Sequence, residues 1–253
     1  MEQNQMEHVW QKLPQGDPAM VSELYQTSLI TALLRGVDDG EIDMGEVMRH
    51  GDFGLGTFNG LDGEMVAAHG GFYQLHADGT ATPVRAEQKT PFAAVTHFVP
   101  QQQLLVTEAM TKQELFSVIA AAAQKNLFTA VLIEGLFQEI RTRTVAKQAE
   151  PYPSLTDATK GQVEKILEMT RGTFAGFLSP AYAQGFQVAG FHLHFLSEDK
   201  TAGGHMLDFT MQQGTVRIAS IHRLRVELPT STAFLDAEMD GSDVSRAVQQ
   251  AEG

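Results

Sequence analysis

Short apolar runs separated by glycine turns, between residues 54 and 75, leave this chain few folds to choose from. The runs 54–58, 64–68 and 71–75 are too short for ordinary helices, and Leu61-Asp62-Gly63, Gly70-Gly71 and Ala77-Asp78-Gly79 separate them with turn residues. Strands this close in sequence pair antiparallel, because a parallel pair needs a long crossover between them. The region therefore reads as a meander of hairpins.

Around it, residues 17–35 carry Met20, Val21, Leu24, Leu29, Ile30, Leu33 and Leu34 at helical spacing. With Pro18 suited to a first turn and Gly36 to a C-cap, they predict an amphipathic helix. Further helices are expected over 43–49, over 111–125 with Thr111 as N-cap, and over 154–169. Residues 127–140 are rich in Val, Ile, Leu and Phe and read as a buried strand continuing into the polar run 141–147. Pro151 and Pro153 mark 148–154 as a linker or domain crossover. Later strands are expected over 171–178, 187–196, 204–212 and 215–228. Helices and strands come in blocks, so the expected class is α+β, a mixed α/β protein with largely antiparallel sheet rather than a doubly wound fold.

Composition removes several functions. The 253 residues include no cysteine, which excludes disulfide scaffolds, thiolate nucleophiles and Cys-bound zinc or iron–sulfur clusters. The formal net charge, −13, argues against a nucleic-acid partner and against an anionic membrane surface. No window is apolar for long enough to span a bilayer, and residues 1–15 lack the pattern of a secretory signal. A soluble, cytoplasmic protein is the default expectation.

The sharpest local feature is Phe191-His192-Leu193-His194-Phe195. In a strand, His192 and His194 point to one face and the three apolar residues to the other. A turn region follows, and His205 opens the next apolar run, within reach of a returning neighbour strand. Three imidazoles converging in this way form the protein half of a catalytic zinc site with an open position. A lone HxH is a common surface pattern, and the third histidine is what strengthens the metal reading. Arg141 and Arg143 share a face at the end of the long strand, with Lys147 just beyond. They suit an anionic ligand, against the plainer reading of a solvated strand end. Glu64 starts a strand beneath the Gly63 turn, a place for a positioned acid, base or metal-shell group, or for an ordinary exposed carboxylate. Thr57 is a weaker candidate of the same kind. His69, His76, His97 and His222 are assigned to structure or surface. No P-loop, dinucleotide fingerprint or GxSxG elbow is present.

Taken together, LYQTSLITALLRGVDDG, HGDFGLGTFNGLDGEMV, RTRTVAKQAEPYPSL, GTFAGFLSPAYAQG and FHLHFLSEDKTAGGHMLDF resemble the α-acetolactate decarboxylase family, in its order and over most of the chain. The resemblance implies two domains, with an N-terminal mixed sheet over 1–150 extended across a homodimer. It implies a C-terminal β-barrel-like zinc domain over 151–240, and a tail, 241–253, that folds over the active site. It implies zinc-dependent conversion of (S)-2-acetolactate, a small-molecule substrate, to (R)-acetoin and carbon dioxide through a metal-stabilised enediolate. Carried over residue by residue, Zn2+ falls to His192, His194 and His205, and the catalytic positions to Glu64, Arg143, Thr57 and, from the C-terminus, Glu252. A metal-dependent hydrolase or lyase on another small oxo acid and a non-catalytic binder of small carboxylates stay open beside it. A purely structural zinc fits less well, since three His without Cys resemble an open site.

Overall fold

The computed structural model describes residues 9–14, 22–239 and 244–252, apart from the side chains of residues 245, 249, 250 and 252. The chain begins with β1 (Gln11–Lys12), β2 (Glu23–Thr27), α1 (Ile30–Leu34), β3 (Ile42–Asp43) and α2 (Met44–His50). Next come β4 (Phe53–Thr57), β5 (Glu64–Ala68), β6 (Gly71–Leu75), β7 (Ala81–Pro83), β8 (Lys89–Thr90) and β9 (Ala93–Thr96). After β10 (Gln102–Val106) and β11 (Met110–Thr111), α3 (Lys112–Ala122) leads to β12 (Phe128–Thr144) and α4 (Leu155–Ala158). The last elements are β13 (Val163–Ser179), β14 (Gly190–Ser197), β15 (Gly203–Ile221), β16 (Arg223–Glu227), α5 (Thr232–Leu235) and α6 (Val244–Glu252). Among the described residues, no helix is long and apolar enough to cross a membrane.

Two seven-stranded sheets carry the fold, so the chain is a mixed α/β protein rich in antiparallel strand. The short-strand sheet runs β16-β2-β9-β4-β5-β6-β7, antiparallel except at its β16–β2 edge. Its centre is the expected meander. Gly63 turns β4 into β5 with φ of 80°, and a Cβ there would lie 2.1 Å from the Leu75 carbonyl oxygen, so only glycine fits. The long-strand sheet runs β1-β10-β15-β12-β13-β14, with β11 also on β15 and β14 pairing back onto β15.

The sheets face one another across a shared apolar cluster. Leu24, Phe53, Leu55 and Val66 enter it from the short strands, and Phe128, Ala130, Leu132, Phe177 and Ala219 from the long ones. On the far side of the long-strand sheet, Phe137, Phe174, Phe195 and Phe209 pack together under Leu115 and Ile119 of α3. Thr111 caps α3 with a capping box to Glu114, as expected for that helix start. Strand alternation decides what is left for the space between the sheets. Leu193 and Phe195 go to the aromatic side, so His192 and His194 point the other way.

Three expected elements differ. Residues 17–35 are not one helix. β2 and α1 are separated at Ser28, whose φ is 64°, and residues 15–21 lie outside the described residues. Leu24 and Tyr25 alternate between the two faces of a strand held by β9 and β16, and that pairing wins over helical spacing. The helix expected over 154–169 stops at Ala158, because Val163 onward is claimed by β12, starting from Thr144 opposite Val163. Residues 204–212 and 215–228 do not break at Gln213-Gly214. Gly214 stands opposite Gly135 inside β15, where a Cβ would lie 2.1 Å from the Glu134 carbonyl oxygen, so the glycine serves strand contact rather than a turn. The proline segment 148–154 joins β12 to α4, and the strands on either side of it, β12 and β13, pair within one sheet.

Candidate active site

One cross-strand row assembles half the site. Arg143 on β12 stands opposite His205 on β15, and His205 stands opposite His194 on β14. His192 lies two residues along β14 on the same face. The three imidazole centroids are 5.1–5.3 Å apart, and one ring nitrogen from each lies within 4.8 Å of the others. All three histidines and Arg143 are buried.

The short-strand sheet supplies the rest. Thr57 and Glu64 face each other across β4 and β5, and the Thr57 hydroxyl donates to the Gly63 carbonyl at 2.7 Å. That bond ties off the turn from which Glu64 projects. Glu64 comes within 3.7 Å of the Arg143 guanidinium and 3.6 Å of His194 Nε2. The next residue, Met65, accepts a 2.7 Å hydrogen bond from His194 Nδ1 through its carbonyl. Ile30, Leu33, Leu61, Phe92, Val145 and Leu155 complete an apolar wall around the small cavity.

Burial sets the protonation states. It pushes the His194 imidazole down to about 4, opposed by the Met65 hydrogen bond and aided by Arg143. His192 is held well below the usual range by burial, then by His194 and Arg143. Both are therefore neutral at physiological pH and keep lone pairs for a metal. His194 shows the matching tautomer. Its Nδ1 proton is committed to Met65, and its buried Nε2 has no hydrogen-bond partner among the described residues. A ligating histidine is oriented in this way, by a carbonyl behind its far nitrogen. The donor set, three imidazole nitrogens and no thiolate, fits a divalent ion with an open position. Burial pushes Glu64 up to about 7 while Arg143 draws it down, so this carboxyl can give or take a proton near neutrality.

Not every candidate arrives. Arg141 pairs with Glu164 at 3.1 Å, its side chain 43% exposed, and Lys147 pairs with Asp62 at the surface. Glu252 ends α6, and its side chain lies outside the described residues. Its neighbour Ala251 is buried, and the Ala251 carbonyl accepts from Arg143 Nη2. His69 bonds Glu134, His76 bonds Thr82, His97 lies 4.0 Å from Asp52 and His222 is exposed, as their structural or surface assignment expects. The Met65 carbonyl, the Ala251 carbonyl and the wall from α1 carry no signal in the sequence that marks them as part of a site. A backbone acceptor leaves no residue-type signal, and the wall residues read only as core.

Residues 24–241 match the family model described as alpha-acetolactate decarboxylase. The alpha-acetolactate decarboxylase of Bacillus subtilis (strain 168) is 41% identical over 234 residues, covering 92% of this chain and 92% of the relative. That of Methylococcus capsulatus (strain ATCC 33009 / NCIMB 11132 / Bath) is 45% identical over 231 residues, covering 91% of this chain and 88% of the relative. The crystal structure of the Bacillus subtilis strain 168 enzyme matches with a TM-score of 0.90 at 40% identity, covering 92% of this chain and 100% of that one.

Proposed function

The chain belongs to the alpha-acetolactate decarboxylase family, and from that premise we propose that it converts (S)-2-acetolactate to (R)-acetoin and carbon dioxide with a zinc ion held by His192, His194 and His205. The observation that carries this reading is the meeting of three buried imidazoles with Glu64 and Arg143 at one small, apolar-walled cavity. When bound, the ion would supply a Lewis acid for the negative charge of the enediolate left by loss of carbon dioxide.

The reaction breaks the bond between C2 and the carboxylate and sends its electron pair towards the C3 ketone oxygen. A proton then adds at C2. Arg143 binds and orients the substrate carboxylate, a task for which a guanidinium fork is suited. Glu64 holds the proton destined for C2, its carboxyl poised near neutrality and 3.7 Å from Arg143. Thr57 fixes the turn that aims Glu64. The apolar wall accepts the two methyl groups and excludes water that would solvate the charges. Support for a role of Glu252 comes from the bond between Arg143 and its neighbour Ala251. A homodimer joined at the short-strand sheet is part of the same reading. It is supported by the edge strand β16, which leaves Leu224 46% and Val226 37% exposed.

Incubation with racemic acetolactate, read as acetoin formed, tests the function. The wild type is expected to release acetoin, and folded His192→Ala and His194→Ala variants to lose both metal and turnover. Retention of zinc and full carbon dioxide release in those variants would refute the zinc part. Thermal stabilisation by acetolactate without any acetoin would instead indicate a binding protein.

A further inference from the structure

Asp38 is a carboxylate that the chemistry above does not use. It has no exposed surface, and neither side-chain oxygen has a hydrogen-bond partner among the described residues. A buried charge without partners is far more costly than a buried neutral acid. Burial, joined by repulsion from Asp39, pushes the carboxyl up to about 7.

Its loop braces the turn that carries the site. The Asp38 carbonyl accepts from the Gly60 amide at 2.8 Å, and Gly40 exchanges two hydrogen bonds with the Asn59 side chain, at 2.9 and 3.1 Å. The Gly60 carbonyl in turn accepts from the Gln148 amide at 2.6 Å. This turn leaves β4 after Thr57 and enters β5 at Glu64, and its Leu61, with φ of 51°, lines the cavity.

The charged and titratable groups around Asp38 come from every neighbouring segment. Asp39 lies on its own loop and accepts from the Tyr152 hydroxyl at 3.0 Å. Tyr152 and Glu150 sit on the segment joining β12 to α4, and Tyr152 is pushed up to about 12 by burial and Asp39, so it stays neutral. Across the turn, the Lys147 ammonium lies 3.6 Å from Asp62, and Arg35 at the end of α1 is exposed. Asp39 is the charged neighbour that acts on the Asp38 carboxyl, and neither Asp38 oxygen has a hydrogen-bond partner among the described residues.

We propose that Asp38 is a positioning residue for the decarboxylation: the backbone of its loop, at Asp38 and Gly40, holds the 58–63 turn so that Glu64 stays aligned with Arg143 and His194, and ionisation of the buried, unpartnered Asp38 carboxyl loosens that loop and with it the turn. The proposal rests on the function inferred above. It predicts, beside the alkaline loss expected of Glu64, a further loss that belongs to Asp38 and is absent when Asp38 is replaced by a neutral residue.

The test compares wild type with Asp38→Asn, a neutral near-isostere, in kcat and in urea midpoint from pH 4 to pH 8.5. With the carboxyl at about 7, its neutral fraction falls about tenfold between pH 6 and pH 8. The ratio of variant to wild-type kcat should rise over that range, approaching about tenfold. The folded carboxyl titrates above its unfolded value, so wild-type stability is full below that value and falls as pH rises to about 7. The variant lacks this fall, and its midpoint should gain on the wild type between pH 4 and pH 7. Asp38→Leu repeats both comparisons if the Asn variant does not fold. A kcat ratio constant with pH in an active enzyme overturns the proposal alone. A wild type that forms no acetoin, yet shows the pH-dependent midpoint difference, overturns the functional reading and with it the positioning role.

Discussion

The Thr57 hydroxyl donates to the Gly63 carbonyl one residue before Glu64, the bond of this turn that lies nearest the carboxyl it aims. Thr57→Val keeps the shape and removes the donor, leaving the Gly63 carbonyl short of its partner. Loss of such a bond costs about 1–3 kcal/mol. The expected outcome is that much lost stability in chemical denaturation, together with a drop in kcat larger than any change in KM. Equal kcat in the two proteins would show that the turn does not need the bond. At this scale the sequence was informative where periodicity acts on side chains. Alternation alone put His192 and His194 on one face, and a hairpin return brought His205 opposite His194. It did not separate Arg143 from Arg141. A register shift in the β12–β15 pairing falls between Arg141 and Thr142, leaving Arg143 opposite His205 and Arg141 opposite Asp208. No local pattern announces such a shift.

Among the elements, β14 works on both faces at once. Its histidines face the site while Phe195 is fully buried, its ring 4.9 Å from Phe174 and 6.1 Å from Phe137. Phe195→Ala should therefore cost about 3–5 kcal/mol, measured by denaturant unfolding, and should also weaken metal binding because the strand that presents the ligands loses its anchor. An unaltered metal affinity in the folded variant would mean that β15 and β13 hold β14 without it. Elements defined by nearby residues were legible: the hairpins β4, β5 and β6, α2 and the capped α3 stand within a few residues of expectation. Elements defined by distant partners were not. Residues 163–169 are apolar enough at helical spacing to suggest a helix, yet their backbone pairs with β12, and β2 likewise owes its extended form to β9 and β16.

For the molecule as a whole, the net charge of −13 repels an anionic substrate, so attraction must be local, from Arg143 and from a metal ion if the three histidines hold one. The short-strand sheet ends at β16, where Leu224 and Val226 are exposed, and the proposed homodimer would place its second copy there. The wild type should run as a dimer in light scattering, and Leu224→Lys with Val226→Lys should give a monomer. A monomeric wild type would remove the dimer from the account. Acetoin formation before and after metal removal decides whether a His-bound metal drives acetolactate decarboxylation in this chain. A chelator should abolish acetoin release from racemic acetolactate, and zinc should restore it in proportion to zinc bound, up to one ion per chain. Undiminished acetoin release from metal-free protein would contradict a metal-driven reaction.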